Sequence, residues 1–197
     1  MIRVLIALGC LLLAACTRSP VPITAPAGSK PDDVLVGQWQ YTMEEDTESV
    51  LISKGANGEL IVTAETPEGG PQAEDFHVIV ARFGHQRYAS VYIVATPAPG
   101  AEAYPASYWL LRYELRDSDH FALYGADDEL MDAINRKLIT GAAYDDRHLP
   151  GIELSASTDD LRAFIKSHGA RIFTAGPVEF TRVKQQAVPA ETTPTRP

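Results

Sequence analysis

Cysteine is scarce in this chain and confined to one end of it. Only two cysteines occur in 197 residues, Cys10 and Cys16. The rest of the sequence therefore has no disulfide, no thiolate metal site and no cysteine nucleophile. Its stability must come from an apolar core, which is feasible because a domain of about 150 residues buries about 68–70% of its unfolded surface.

Charge is absent from residues 4–15, which also lack strongly polar side chains. As a helix this run would span about 18 Å, whereas the hydrocarbon core of a bilayer is about 30 Å thick. The run is too short for a stable membrane-spanning helix, and Arg3 ahead of it is typical of a secretory signal peptide over residues 1–15. A short core helix is the alternative, but that helix would need a polar face.

The apolar run ends at Leu13-Ala14-Ala15-Cys16, which resembles the lipobox of bacterial lipoproteins. In that family the cysteine thiol receives a diacylglyceryl group, a peptidase cuts before the cysteine, and the new amine is usually acylated. The resemblance implies that Cys16 carries palmitate-type lipid, which attaches the protein to a membrane. Thr17, where an aspartate would retain a lipoprotein in the inner membrane, points to the periplasmic face of a Gram-negative outer membrane. An ordinary secretory signal with a chance cysteine is the alternative.

Basic residues are outnumbered by acidic ones, 17 against 26, and the formal net charge is −9. Cleavage before Cys16 would remove Arg3, the one charged residue of the signal peptide, and leave a charge of −10. Such a domain gains no affinity for nucleic acid or anionic lipid from its overall field. We therefore expect no nucleic-acid partner, and we expect the attached lipid to hold the protein at the membrane.

Proline-rich segments flank the expected domain. Residues 16–32 hold the cysteine and four prolines without an apolar period, which predicts a disordered tether that reaches about 50 Å. Residues 184–197 have a similar composition and predict a disordered tail. A single β-rich domain over residues 33–183 remains.

Apolar residues within that domain alternate with period two, which is typical of strands. A helical period then follows, from Asp127 as a cap to Gly141, and again from Ser157 or Thr158 as a cap to Gly169. The expected fold is mainly β (α+β), with a curled antiparallel sheet or barrel and two helices near the C-terminus. Strands are predicted at residues 35–43, 49–54, 59–65, 76–83, 88–95, 109–116, 121–124, 172–174 and 178–183.

The first strand contains Gly37-Gln38-Trp39, which resembles the Gly-x-Trp signature that opens lipocalin-type barrels. In that family the tryptophan closes one end of the barrel, and an arginine of the last strand lies over its ring. The resemblance implies a structural closure by Gly37, Trp39 and Arg182, since a guanidinium on an indole face is attractive. Because no second or third lipocalin motif occurs, the barrel is expected to be only lipocalin-like.

Two polar clusters could be interpreted as catalytic or metal-binding. Asp117, Asp119 and His120 lie in a predicted hairpin turn, where such residues bond the local backbone, and residues 145–148 lie in a predicted solvated loop between the helices. His77 is interpreted as a satisfied core or rim residue. No Gly-x-Ser-x-Gly, His-Glu-x-x-His or phosphate-binding glycine loop occurs. We therefore expect no catalytic residue, no metal and no cofactor.

These observations predict a lipid-anchored envelope protein that is not an enzyme and serves as a partner-binding or structural accessory lipoprotein. The alternative is a carrier of a small apolar ligand, in a barrel cavity between Trp39, Tyr41, Tyr92 and Trp109. An envelope hydrolase is the least favoured function. A filled interior would favour the accessory role, and a cavity of several hundred cubic ångströms the carrier.

Overall fold

The computed structural model describes residues 17–43, 46–64, 75–93, 107–146 and 149–184. The predicted signal peptide, Cys16 and residues 185–197 of the predicted tail lie outside these ranges. The helices are α1 (Glu129–Asn135) and α2 (Thr158–Ile172). The strands are β1 (Thr17–Ser19), β2 (Gly37–Met43), β3 (Asp46–Lys54), β4 (Leu60–Ala64), β5 (Phe76–Phe83), β6 (Gln86–Ile93), β7 (Tyr108–Leu115), β8 (His120–Gly125), β9 (Gly141–Asp146), β10 (Leu149–Leu154) and β11 (Ala175–Arg182).

Eight of these strands close into a barrel. They are neighbours in the order β2, β3, β4, β5, β6, β7, β8 and β11, and β11 pairs back with β2. Every pair in this ring is antiparallel. The predicted mainly β fold, with a lipocalin-like barrel and two helices, is confirmed.

The barrel interior is an apolar core built from alternate residues of each strand. Phe121 of β8 and Phe180 of β11 stack inside it with ring centroids 4.5 Å apart. Burial of one such large side chain contributes about 1.5–3 kcal/mol. The buried residues of this core include Trp39, Tyr41, Val50, Ile52, Leu60, Val80, Ala89, Leu111, Tyr113, Phe121 and Phe180.

A second core lies outside the barrel wall, between strands β5–β7 and the helices. Tyr88 and Leu110 project outwards from the wall and belong to the same buried cluster as Leu161 of α2. Gly169 lies within α2 at Tyr88, where an added Cβ would come within 2.6 Å of the tyrosine hydroxyl oxygen. The prediction that this helix ends at Gly169 is wrong. The glycine provides space for Tyr88, and the helix continues to Ile172.

Three strands outside the barrel, β1, β9 and β10, form what we call the annex. The first residues of β7 pair with β1, whereas its later residues pair with β8, so the sheet branches at β7. β10 pairs in parallel with β1 and antiparallel with β9. The prediction of a loop at residues 145–148 is therefore wrong for Asp145 and Asp146, which are the last two residues of β9. Arg147 and His148 lie outside the described residues.

The predicted tether is also wrong over residues 17–32. Thr17 is 2% exposed and Ser19 0% exposed within β1, and Ile23 is completely buried in the outer core. The Ile23 amide donates to the Ser90 hydroxyl at 3.0 Å. These contacts explain why this proline-rich segment is ordered: its few apolar side chains pack against the outside of the barrel wall.

The chain next covers an open stretch of β5. Pairing between β4 and β5 stops at Val78, and beyond it the Lys30 amide donates to the Val80 carbonyl at 3.2 Å. The Ser29 hydroxyl accepts from the Val80 amide at 3.0 Å. The folded unit therefore begins at least at Thr17 and not at residue 33.

Element ends near the C-terminus also differ from the predictions. The Ser157 hydroxyl caps α2 as predicted and accepts from the Asp160 amide at 3.2 Å. α1 ends at Asn135, before the predicted stop at Gly141, and Lys137 beyond it has a φ of 59°. The predicted strand at residues 172–174 is the end of α2 and its turn. β11 begins at Ala175, with an irregular register between Ala175 and Val178.

Candidate functional site

The candidate site is the barrel interior together with the barrel end where β2 begins and β11 ends, which we call the closed end. Trp39 is fully buried there, and its indole nitrogen donates to the Leu35 carbonyl at 2.7 Å. The guanidinium carbon of Arg182 lies 4.2 Å from the centre of the Trp39 ring. The same guanidinium donates to the carbonyl oxygens of Val34 and Val36. The structure thus brings together the tryptophan and arginine that the lipocalin resemblance pairs.

Gly37 permits this contact in two ways. Its φ is 137°, a conformation that side-chain-bearing residues rarely adopt. A Cβ at this position would also overlap the Nη1 atom of Arg182. The glycine of the Gly-x-Trp pattern is therefore required by both its backbone conformation and the close approach of the arginine.

A buried carboxylate lies at the same end of the barrel. The Asp32 side chain is 12% exposed and binds Arg82 at 2.5 Å and Arg87 at 2.8 Å. The Tyr113 hydroxyl donates to the same carboxylate at 2.8 Å, and burial followed by the charge of Asp32 raises the pKa of that hydroxyl well above its ordinary value. Sequence reasoning missed this cluster because Asp32 was assigned to the disordered tether.

An apolar cavity of about 90 Å³ lies inside the barrel. An engineered apolar cavity of about 150 Å³ binds benzene, and the cavity in this barrel is smaller than that one. Its wall comprises Leu35, Val50, Ile52, Leu60, Val62, Phe76, Val78, Val80, Ala89, Val91, Leu111, Tyr113, Phe121, Leu123 and Phe180.

The predicted cavity residues do not line this space. Trp39 and Tyr41 are buried in the inner core, and Trp109 packs against it, but none of the three belongs to the cavity wall. Tyr92 lies on the outside of the barrel, next to Tyr108 and His77. The prediction of these four residues as a ligand cavity is wrong, because aromatic content alone did not reveal which face of β6 points inwards.

Tyr92 belongs to a polar group on the outer wall that the sequence did not reveal. Its hydroxyl donates to Glu59 at 3.1 Å, and the other oxygen of that carboxylate lies 3.2 Å from Nδ1 of His77. Burial, assisted by the neighbouring carboxylate, raises the pKa of Tyr92 to about 12. Each oxygen of the Glu59 carboxylate therefore has a partner. His77 has a partner as well, as expected for a satisfied core or rim residue.

The turn between β7 and β8 contains the acidic and histidine residues that could be interpreted as a metal or acid–base cluster. The Asp117 carboxylate accepts from the Asp119 amide at 2.7 Å and lies 2.9 Å from Nδ1 of His120. The backbone hydrogen bond from Asp119, followed by the hydrogen bond from the His120 side chain, lowers the pKa of Asp117. The Asp119 carboxylate oxygen Oδ1 lies 3.6 Å from Nε of Arg182. The hydrogen bonds of this cluster are those of a turn.

The described residues contain no group of three or more His, Cys, Asp or Glu side chains that could hold a metal ion. Over the same ranges no helix is long and apolar enough to cross a membrane.

Comparison with known proteins gave no relative. No protein-family model matches the chain, and neither a curated protein nor a solved structure is significantly similar to it.

Proposed function

We propose that this chain is a lipid-anchored envelope lipoprotein whose barrel is a non-enzymatic partner-binding or structural accessory domain. The filled barrel interior carries the proposal. Its cavity of about 90 Å³ is far below the roughly 300–1,000 Å³ of typical ligand sites. Asp32 and Trp39, with the arginines that bind them, occupy the closed end. A domain built in this way acts through its outer surface.

The anchor part of the proposal rests on Leu13-Ala14-Ala15-Cys16 after the uncharged run. We place the protein on the periplasmic face of a Gram-negative outer membrane, because Thr17 follows the cysteine. Metabolic labelling with an alkyne analogue of palmitate should label the wild type and the Cys16→Ser variant should remain unlabelled. The matched control is Cys10→Ser, which should keep its label because Cys10 leaves with the signal peptide. Equal labelling of Cys16→Ser and wild type would contradict the anchor.

A carrier of a small apolar molecule is the second candidate, since the cavity wall is apolar. A fluorescent apolar probe, N-phenyl-1-naphthylamine, distinguishes the two functions. We expect no saturable binding, because the cavity is too small for a fused aromatic ring system. One-to-one binding that is lost in Ala89→Val, which fills the cavity, and kept in Tyr92→Phe would establish the carrier instead.

A further inference from the structure

No flexible linker separates the proposed anchor residue, Cys16, from the folded domain. Thr17 follows Cys16 directly, so the α-carbons of these two residues lie about 3.8 Å apart. Thr17 is the first residue of β1 and is 2% exposed. The distance from the lipid to the domain is therefore that of a single peptide bond, not of a flexible tether.

β1 is held firmly enough to transmit an orientation. It lies between β7, where Arg18 pairs with Trp109, and β10, where Thr17 pairs with Ile152. The Arg18 guanidinium binds the Glu153 carboxylate at 3.0 Å and lies 3.8 Å from the centre of the Tyr144 ring. Strand pairing and these side-chain contacts fix the first residues of the mature chain to the domain.

We infer that the annex faces the bilayer, so that the barrel has a fixed orientation on the membrane. The inference rests on the proposed lipidation of Cys16. The acyl chains must reach the hydrocarbon, and the polar zone above the hydrocarbon is only about 5–8 Å thick on each side. Strands lie about 4.8 Å apart, so β10 and β7 are each about 5 Å from β1, on its two sides, and β9 is about 10 Å from it. All three annex strands therefore lie at or near the membrane surface, together with the part of β7 that pairs with β1.

The opposite wall of the barrel points away from the membrane. β3 is four strands from β7 in both directions around the eight-stranded ring, so the outer faces of these two strands have opposite directions. Leu51 on β3 is 43% exposed, and this wall is left accessible to a partner. Because the mature chain is acidic, the covalent link and not attraction to anionic lipid sets the orientation.

The test uses the full-length acylated protein in vesicles of neutral phospholipid that contain a headgroup-nitroxide lipid. The two natural cysteines are the cleaved Cys10 and the lipidated Cys16, so an added cysteine is the one free thiol. Ala142→Cys places a fluorophore on β9, in the row of Glu153 and Arg18. Leu51→Cys places the same fluorophore on the opposite wall. A further pair of proteins carries a twelve-residue Gly/Ser insert between Cys16 and Thr17.

We expect most of the emission at position 142 to be quenched and little of that at position 51, with no change at high salt. The insert should remove this difference, because a flexible chain of twelve residues spans about 19 Å on average. Equal quenching at the two positions, stronger quenching at position 51, or a difference that persists with the insert would each overturn the inference. Failure of the proposed lipidation is distinct, since an unacylated protein would not float with the vesicles.

Discussion

Gly37→Ala is the substitution that tests the closed end of the barrel most sharply. The new methyl group would overlap the Nη1 atom of Arg182, and the residue would have to keep a φ of 137°. Strain at such a backbone conformation costs about 1–3 kcal/mol. Displacing the guanidinium from Trp39 adds about 0.5–2 kcal/mol. Loss of its bonds to Val34 and Val36 adds about 0.5–1.5 kcal/mol each.

Together these effects predict that Gly37→Ala lowers the free energy of unfolding by about 2.5–8 kcal/mol in the wild type. In an Arg182→Ala background the overlap disappears and the backbone strain remains, so the cost should fall to about 1–3 kcal/mol. Urea melts of a soluble chain that begins at Thr17 measure both values. Gly176→Ala is the matched control on β11, since nothing lies within 4 Å of its added Cβ.

An equal cost of Gly37→Ala in both backgrounds would refute the reasoning about Arg182. A cost no larger than that of Gly176→Ala would refute the role of the positive φ as well.

Three further predictions concern the rest of the barrel. Asp32→Ala should cost about 1–3 kcal/mol in urea melts, because it leaves the buried Tyr113 hydroxyl without its acceptor and removes the partner of two partly exposed arginines. A cost no larger than that of a typical surface change would contradict the cluster. Ala89→Val should raise the free energy of unfolding by up to about 1.6 kcal/mol by filling the cavity, and a loss of stability would mean that the cavity cannot accept the added carbons. Glu59→Gln should lower the pKa of Tyr92 from about 12 towards its ordinary value, because a neighbouring negative charge disfavours the phenolate. Ultraviolet titration measures this shift after subtraction of the Tyr92→Phe titration, and an unchanged pKa would assign the whole effect to burial.

The barrel strands were predictable because each buries one face, so that apolar residues recur with period two. The Ser157 cap was predictable because it depends on a few neighbouring residues. The contact of Arg182 with Trp39 could be predicted only from the lipocalin resemblance. The two residues are 143 positions apart in the sequence, so no local sequence pattern relates them.

The annex could not be predicted because its stability is not local. β9 contains Gly141, Ala142 and Ala143 and has no apolar alternation, and β1 is only three residues long. Each strand forms because a neighbour supplies the hydrogen bonds of its edge. The same applies to residues 20–32, whose few apolar side chains contact the outer core of a barrel formed by later parts of the chain.

The central claim is a lipid on Cys16 combined with an interior that holds no ligand. Native mass spectrometry of the protein, extracted from its own envelope in mild detergent, tests both at once. We predict the mass of a chain that begins at Cys16 with its covalent acyl groups, and the same mass after denaturation. An unmodified chain would contradict the anchor, and an additional mass that is lost on denaturation would contradict the filled barrel.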